Sequence, residues 1–96
     1  MKEDDTRFYE IHRLIKHGDV LGLRQALESG LDPNLKNRFG WTLLMLSALH
    51  GRTDMAAILI AKGADVSSVN KSGDSAASLA ELKKHRKTQN IVEHAP

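Results

Sequence analysis

Apolar residues in the middle of the chain recur at helical spacing in two short runs, one on each side of Gly51. In the first run, residues 43–50, Leu44 and Ala48 lie one helical turn apart, and in the second, residues 53–61, apolar side chains again repeat on one face. Residues three and four apart share a face of an α-helix. The pattern therefore predicts two short helices that pack against each other through this face.

Turn-forming residues mark the ends of both predicted helices. Thr42 precedes the first helix, where its hydroxyl can accept a hydrogen bond from an amide one turn further on. Gly51 follows that helix, in the position where a left-handed residue commonly ends a helix. Residues 37–40 (Asn-Arg-Phe-Gly) and 62–65 (Lys-Gly-Ala-Asp) are turn-like. The central segment is thus predicted to be turn, helix, tight turn, helix and long turn.

This unit repeats along the chain with an offset of 33 residues. Five pairs of Gly, Asn or Asp residues coincide at that offset: Gly18 with Gly51, Gly30 with Gly63, Asp32 with Asp65, Asn37 with Asn70, and Gly40 with Gly73. Glycine adopts a positive φ at little cost, and Asn and Asp form local turns, so the matches concern positions with special backbone roles. We predict a structural unit of this length, copies of which stack because one copy cannot bury its own apolar face.

The central unit resembles an ankyrin repeat. Residues 40–45 (Gly-Trp-Thr-Leu-Leu-Met) are similar to the family's Gly-x-Thr-Pro-Leu-His opening. Gly51 matches the family's inter-helix glycine, and residues 59–65 (Leu-Ile-Ala-Lys-Gly-Ala-Asp) match its Leu-Leu-x-x-Gly-Ala-Asp ending. Two positions depart from the pattern, since Leu43 replaces Pro and Met45 replaces His.

The resemblance covers roughly residues 6–94 and implies an all-α fold, a short ankyrin-type solenoid of about three helix-turn-helix repeats. We expect a single domain over residues 1–96, made of an N-terminal cap-like repeat (6–36), a full central repeat (37–69) and a C-terminal cap-like repeat (70–96). Outer repeats of such a stack are atypical because they cover its ends with polar surface.

Both outer units depart from the central one at identifiable positions. In the third unit, Lys84 stands where Gly18 and Gly51 stand in the first two. In the first unit, Phe8 occupies the position equivalent to Trp41. We therefore expect Phe8 to lie on a turn like the one that carries Trp41.

Composition narrows the class of protein. The chain has 96 residues, no Cys and a net charge of +2, with 14 Lys and Arg against 12 Asp and Glu. The length fits one small domain, and the lack of Cys excludes disulfides and thiolate chemistry. No apolar run approaches the ~18 residues needed to span a bilayer. We expect no membrane partner and a location in the cytoplasm, with the nucleus as an alternative.

No motif for catalysis or for a metal is present. The five His residues include no pair at a spacing of three or four, and no Gly-rich phosphate loop or nucleophile motif occurs. Two of them, His17 and His50, precede the inter-helix glycines, where a His complements the helix dipole. The sequence therefore predicts no enzyme, no catalytic residue, no metal site and no cofactor.

The resemblance implies a non-catalytic protein-protein interaction module, an adaptor or scaffold that binds a protein or peptide on its concave face and on finger-like turns. Candidate partner-binding residues are those at positions that the family commonly uses for contact and, by repeat equivalence alone, two in the third unit: Arg38, Phe39, Trp41, Leu49, His50, Lys71 and Asp74. For Trp41 the alternative is that its ring only closes the gap to the neighbouring finger. We expect the chain to be a monomer when free.

Two other functions stay open. The flank of the third unit could stack end to end with another protein or another copy, which would make the chain a structural subunit. The basic cluster at residues 83–87 (Lys-Lys-His-Arg-Lys) could associate weakly with nucleic acid or act as a nuclear-import signal, or it could be a solvated inter-helix turn. The near balance of charge over the whole chain disfavours nucleic acid as the main partner.

Overall fold

The computed structural model describes residues 3–95, with side chains from Asp5 to Ala95. This part of the chain forms six α-helices: α1 Glu3–Lys16, α2 Val20–Glu28, α3 Leu43–Leu49, α4 Thr53–Ala61, α5 Ala76–Leu82 and α6 Arg86–Glu93. They are arranged as three helix pairs, which confirms the predicted all-α solenoid. Extended pairing within the described residues is confined to two isolated antiparallel bridges, Lys36 with Thr42 and Val69 with Ser75.

The helices form two layers. The first helices of the pairs lie side by side, with α3 in contact with both α1 and α5, and the second helices do the same, with α4 in contact with both α2 and α6. Helix α3 is the centre of the stack, and every residue from Leu43 to Ala48 is buried. A helix that is apolar all round is stable only inside a core. The outer helices α1 and α5 supply the surfaces that enclose it.

In the second and third pairs, a side-chain hydrogen bond caps the N-terminus of the first helix. Thr42 Oγ1 accepts a hydrogen bond from Met45 N, as predicted, and Ser75 Oγ accepts one from Ser78 N. Each bond satisfies an amide that has no partner within the helix.

The inter-helix turns share one backbone conformation. Gly18 has φ 71°, Gly51 has φ 67° and Lys84 has φ 62°. The third value confirms that Lys84 takes the inter-helix position predicted from the repeat. A side chain in this left-handed region costs about 1–2 kcal/mol, so the third turn is strained where the first two are not.

Each of the two finger turns is held by an Asn side chain. Asn37 Oδ1 accepts hydrogen bonds from the amides of Phe39 and Trp41, and Asn70 Oδ1 accepts them from the amides of Ser72 and Asp74. The fingers are also joined to each other, because Lys71 N donates to Phe39 O.

The prediction for Phe8 is wrong. This residue lies inside α1 and is buried, with 1% of its surface exposed. Helix α1 is 14 residues long whereas α3 and α5 have seven each, so its first half occupies the segment that forms a finger in the other pairs. Alignment by a fixed offset fails at Phe8 because the first pair begins with helix instead of a turn.

Candidate interaction site

An apolar hollow of about 260 Å³ lies between α1, the first finger and α3. Its lining comes from all three elements: Phe8, Tyr9, His12, Asn37, Phe39, Trp41, Leu46 and Leu49. Three of the predicted site residues, Phe39, Trp41 and Leu49, are therefore brought together by the fold. The size is that of a pocket for one or two side chains of a partner.

Phe39 is the exposed one of the three predicted residues at the hollow, and Tyr9 of α1 is exposed there as well. Phe39 retains 53% of its surface although it lies beside an apolar hollow, while Trp41 and Leu49 are half-buried and pack against the core. The Trp41 ring thus packs against the core, as the alternative interpretation expected. The ring also lines the hollow, so a partner in the hollow could still contact it. An exposed aromatic ring at the rim of a pocket is typical of protein interfaces.

Arg38 stands beside Phe39 and is anchored to α1. Its Nε donates to Asp5 Oδ2 at 2.6 Å, and its Cζ lies 5.9 Å from the centre of the Phe39 ring. The hydrogen bond to Asp5 and the charge of that carboxylate raise the pKa of Arg38. The guanidinium remains exposed beside the Phe39 ring, although Arg38 is not one of the residues that line the hollow.

His50 meets His12 at the edge of the hollow. The two Nε2 atoms lie 3.4 Å apart, within hydrogen-bonding distance when one ring donates and the other accepts. Burial lowers the pKa of both rings, and nearby positive charge lowers it further, from Lys16 on His12 and from His12 and Arg52 on His50. Both shifts favour the neutral form of the ring, and the ring that accepts in this contact must be neutral.

The remaining predicted residues, Lys71 and Asp74, belong to the second finger. Lys71 is exposed and Asp74 is half-buried. Neither lines the hollow, so the structure does not bring them together with Phe39 and Trp41 around it.

Sequence reasoning missed the contribution of α1. Phe8, Tyr9 and His12 form one side of the hollow, and the Tyr9 ring packs edge-to-face on Phe8 with centroids 5.6 Å apart. The signal was present, since Phe8 and His12 are four apart and share a helical face. It was hidden because the repeat offset assigned this segment to a turn. Within residues 5–95, no three His, Asp or Glu side chains come together in a metal-binding arrangement.

A family model for ankyrin repeats in three copies matches residues 11–94. The chain belongs to the ankyrin-repeat family. Ankyrin repeats are generally non-catalytic protein-protein interaction modules. None of the helices described here is both long and apolar enough to cross a membrane.

Curated relatives share the repeats but are much longer proteins. M-phase phosphoprotein 8 from Homo sapiens is 39% identical over 64 residues, which are 65% of this chain and 7% of that protein. The 2-5A-dependent ribonuclease of Mus musculus is 35% identical over 72 residues, 74% of this chain and 9% of that protein. The G patch domain and ankyrin repeat-containing protein 1 homolog of Drosophila melanogaster is 35% identical over 69 residues, 72% of this chain and 20% of that protein. The chain thus spans a fifth or less of each of these relatives.

Proposed function

We propose that this chain is a non-catalytic interaction module that binds a protein or peptide through the hollow beside the first finger. The observation that carries the proposal is the half-exposed Phe39 ring at the rim of an apolar hollow. An apolar or aromatic side chain of the partner would fill the hollow and bury this ring. Such a pairing of an aromatic anchor with a pocket is the usual centre of a protein interface.

The site is fixed before the partner arrives. Asn37 holds the finger through two backbone amides, the second finger supports it through Lys71 N, and Asp5 holds Arg38 in place. A preformed surface loses little conformational entropy on binding, which favours affinity from a small contact area. Arg38 would add a charged hydrogen bond to an acceptor on the partner.

The other predicted residues have secondary roles in this proposal. Leu49 and Trp41 form walls of the hollow, and His50 contributes through its contact with His12. Lys71 and Asp74 would touch a partner that extends across the second finger. The proposed division of the chain at 36/37 and 69/70 puts the hollow at the boundary between the first and second repeats.

A peptide library displayed on phage and selected on this chain provides the test. We expect the selected peptides to carry an aromatic or large aliphatic anchor. Calorimetry should show that Phe39→Ala weakens their binding at least about tenfold, the loss typical of an interface anchor. Arg38→Glu should weaken binding as well.

Leu21→Ala is the matched control. Leu21 is an exposed apolar residue on α2 and does not line the hollow, so its truncation should leave affinity unchanged. Equal binding by the wild type and by Phe39→Ala, with unchanged circular dichroism, would refute the proposed site.

We further propose that the free chain is a monomer. Sedimentation should then give one size at all concentrations. Growth in size with concentration would instead favour end-to-end stacking through the flank of the third helix pair.

A further inference from the structure

The three inter-helix turns lie next to one another at the ends of the helices that are remote from the fingers. Arg52 of the second turn donates from Nε to Ile15 O at 3.0 Å and from Nη2 to Lys16 O, at the end of α1. The His85 ring of the third turn lies against Gly51, where a Cβ would come within 2.7 Å of Nδ1. These contacts align the three turns in a continuous row.

This row is strongly basic. We call residues 16–19, 50–54 and 83–87 the basic edge. It holds six of the 14 Lys and Arg residues and two of the 12 Asp and Glu residues, which leaves eight against ten in the rest of the chain. The excess of positive charge is therefore local, although the chain as a whole is nearly neutral.

No carboxylate among the described side chains, Asp5 to Ala95, forms an ion pair with a cation of the basic edge. Among the side chains that the structure describes, ion pairs join Arg7 to Glu10 and Arg38 to Asp5, and both lie elsewhere. All the Lys and Arg side chains of the edge except Arg52 are exposed: Lys16, Lys83, Lys84, Arg86 and Lys87. Of the two carboxylates, Asp19 already accepts a hydrogen bond from Gly22 N as the cap of α2.

The edge is also grooved. One hollow of about 380 Å³ reaches from Gly18 past Arg52 to Lys87, and a second of about 220 Å³ continues from Gly51 to Arg86. Lys87 lines both hollows, so they form one shallow groove that crosses all three turns.

We propose that the basic edge binds an acidic segment, rich in Asp and Glu, of a partner protein. An extended chain advances about 3.3 Å per residue, so about ten residues would equal 32 Å, the longest dimension of the molecule, and are enough to bring a carboxylate to each turn. The chemistry favours a peptide over nucleic acid because the described Phe, Tyr and Trp side chains lie at or near the first finger. The basic edge therefore offers no such ring for a base to stack on.

The proposal is tested by fluorescence anisotropy with a labelled acidic peptide of about ten residues, (Glu-Asp)n. A Gly-Ser peptide and an oligothymidylate of similar length are measured for comparison. We expect the acidic peptide to bind at about 50 mM salt and to lose about tenfold in affinity at about 300 mM, because the contacts are exposed and screened. The double variant Lys83→Gln/Lys87→Gln should weaken binding about fivefold.

Lys36→Gln/Lys62→Gln is the matched control, since it removes the same net charge from exposed lysines outside the basic edge. It should change affinity less than about twofold. Phe39→Ala should also bind the acidic peptide like the wild type. The proposal for the basic edge and the proposal for the hollow beside the first finger can therefore be refuted separately. No binding of the acidic peptide, equal loss in both double variants, or tighter binding of the oligothymidylate would each overturn the proposal.

Discussion

The two junctions between neighbouring helix pairs are held by different chemistry. At the first junction, where α1 and α2 meet α3 and α4, three contacts use ionisable side chains: His12 with His50, Arg52 with the end of α1, and Arg38 with Asp5. The side chain of Asn34 adds a neutral contact: its Nδ2 donates a hydrogen bond to Gly63 O, and its Oδ1 accepts one from Asp65 N.

The second junction, where α3 and α4 meet α5 and α6, relies chiefly on backbone and hydroxyl groups, and the His85 ring packs there against Gly51. Lys71 N donates to Phe39 O, and the hydroxyls of Thr53 and Thr88 lie 2.8 Å apart. Backbone amides and Thr hydroxyls neither gain nor lose a proton near neutral pH, so their hydrogen bonds do not depend on pH there. His rings do gain and lose a proton in this range, so a contact between two of them depends on pH. The comparison indicates that the first junction, where two His rings with lowered pKa values contact each other, responds to pH more strongly than the second, although both belong to one short stack.

The largest expected effect comes from Arg52, the side chain that fastens the first junction. Arg52→Met should lower the free energy of unfolding by about 2 kcal/mol, because two charged hydrogen bonds to carbonyl oxygens at the end of α1 are lost. Urea denaturation measures the loss. Arg24→Met is the control, since Arg24 is exposed on α2, and a loss as large there would contradict this role of Arg52.

A smaller loss is expected at the second junction. Thr88 is 1% exposed, and Thr88→Val should cost about 1 kcal/mol because the half-buried hydroxyl of Thr53 loses its partner. The double variant Thr53→Val/Thr88→Val should recover part of the loss, since no polar group then stays unpaired. A double variant that is less stable than the sum of the single changes would argue against this pairing.

The smallest expected change is a gain. Lys84→Gly should stabilise the third turn by about 0.5–1 kcal/mol, because relief of the left-handed strain exceeds the entropic cost of glycine. Lys83→Gly is the matched control, since Lys83 has φ −90° and gains nothing from glycine. A gain at both positions, or at neither, in thermal unfolding would contradict the strain at Lys84.

Local turn chemistry made much of this fold predictable. Asn37 and Asn70 marked the fingers, Thr42 marked the start of α3, and Lys84 was placed at the inter-helix position by the repeat offset alone. The Asn and Thr signals depend on one residue and its immediate neighbours, so they can be read along the chain. The position of Lys84 follows from the length of the repeat.

Contacts between distant residues could not be predicted in the same way. His12 and His50 are 38 residues apart and Asp5 and Arg38 are 33 apart, so only packing of the helix pairs brings them together. The hollow also depends on the unusual length of α1, which replaces a finger. Of the predicted site, the wall formed by Phe39 and Trp41 could be anticipated, and the wall formed by α1 could not.

The pH dependence of stability tests the difference between the junctions most directly. The pKa values of His12 and His50 in the folded chain lie below 6.5, the value for an unperturbed ring. As the pH falls through 6.5, the unfolded chain therefore binds protons before the folded chain does, and the folded state loses stability. Asp65, whose carboxylate accepts bonds from Ser67 and Ser68, has a pKa below 3.8 and acts only at lower pH.

The measurement is thermal unfolding between pH 8 and pH 5 for the wild type, His12→Asn and His17→Asn. His17 is exposed, so its replacement provides a control for the loss of one His. The wild type and His17→Asn should lose thermal stability below about pH 6.5, and His12→Asn should lose clearly less over the same range. Identical pH profiles for all three proteins would contradict the assignment of the pH response to the first junction.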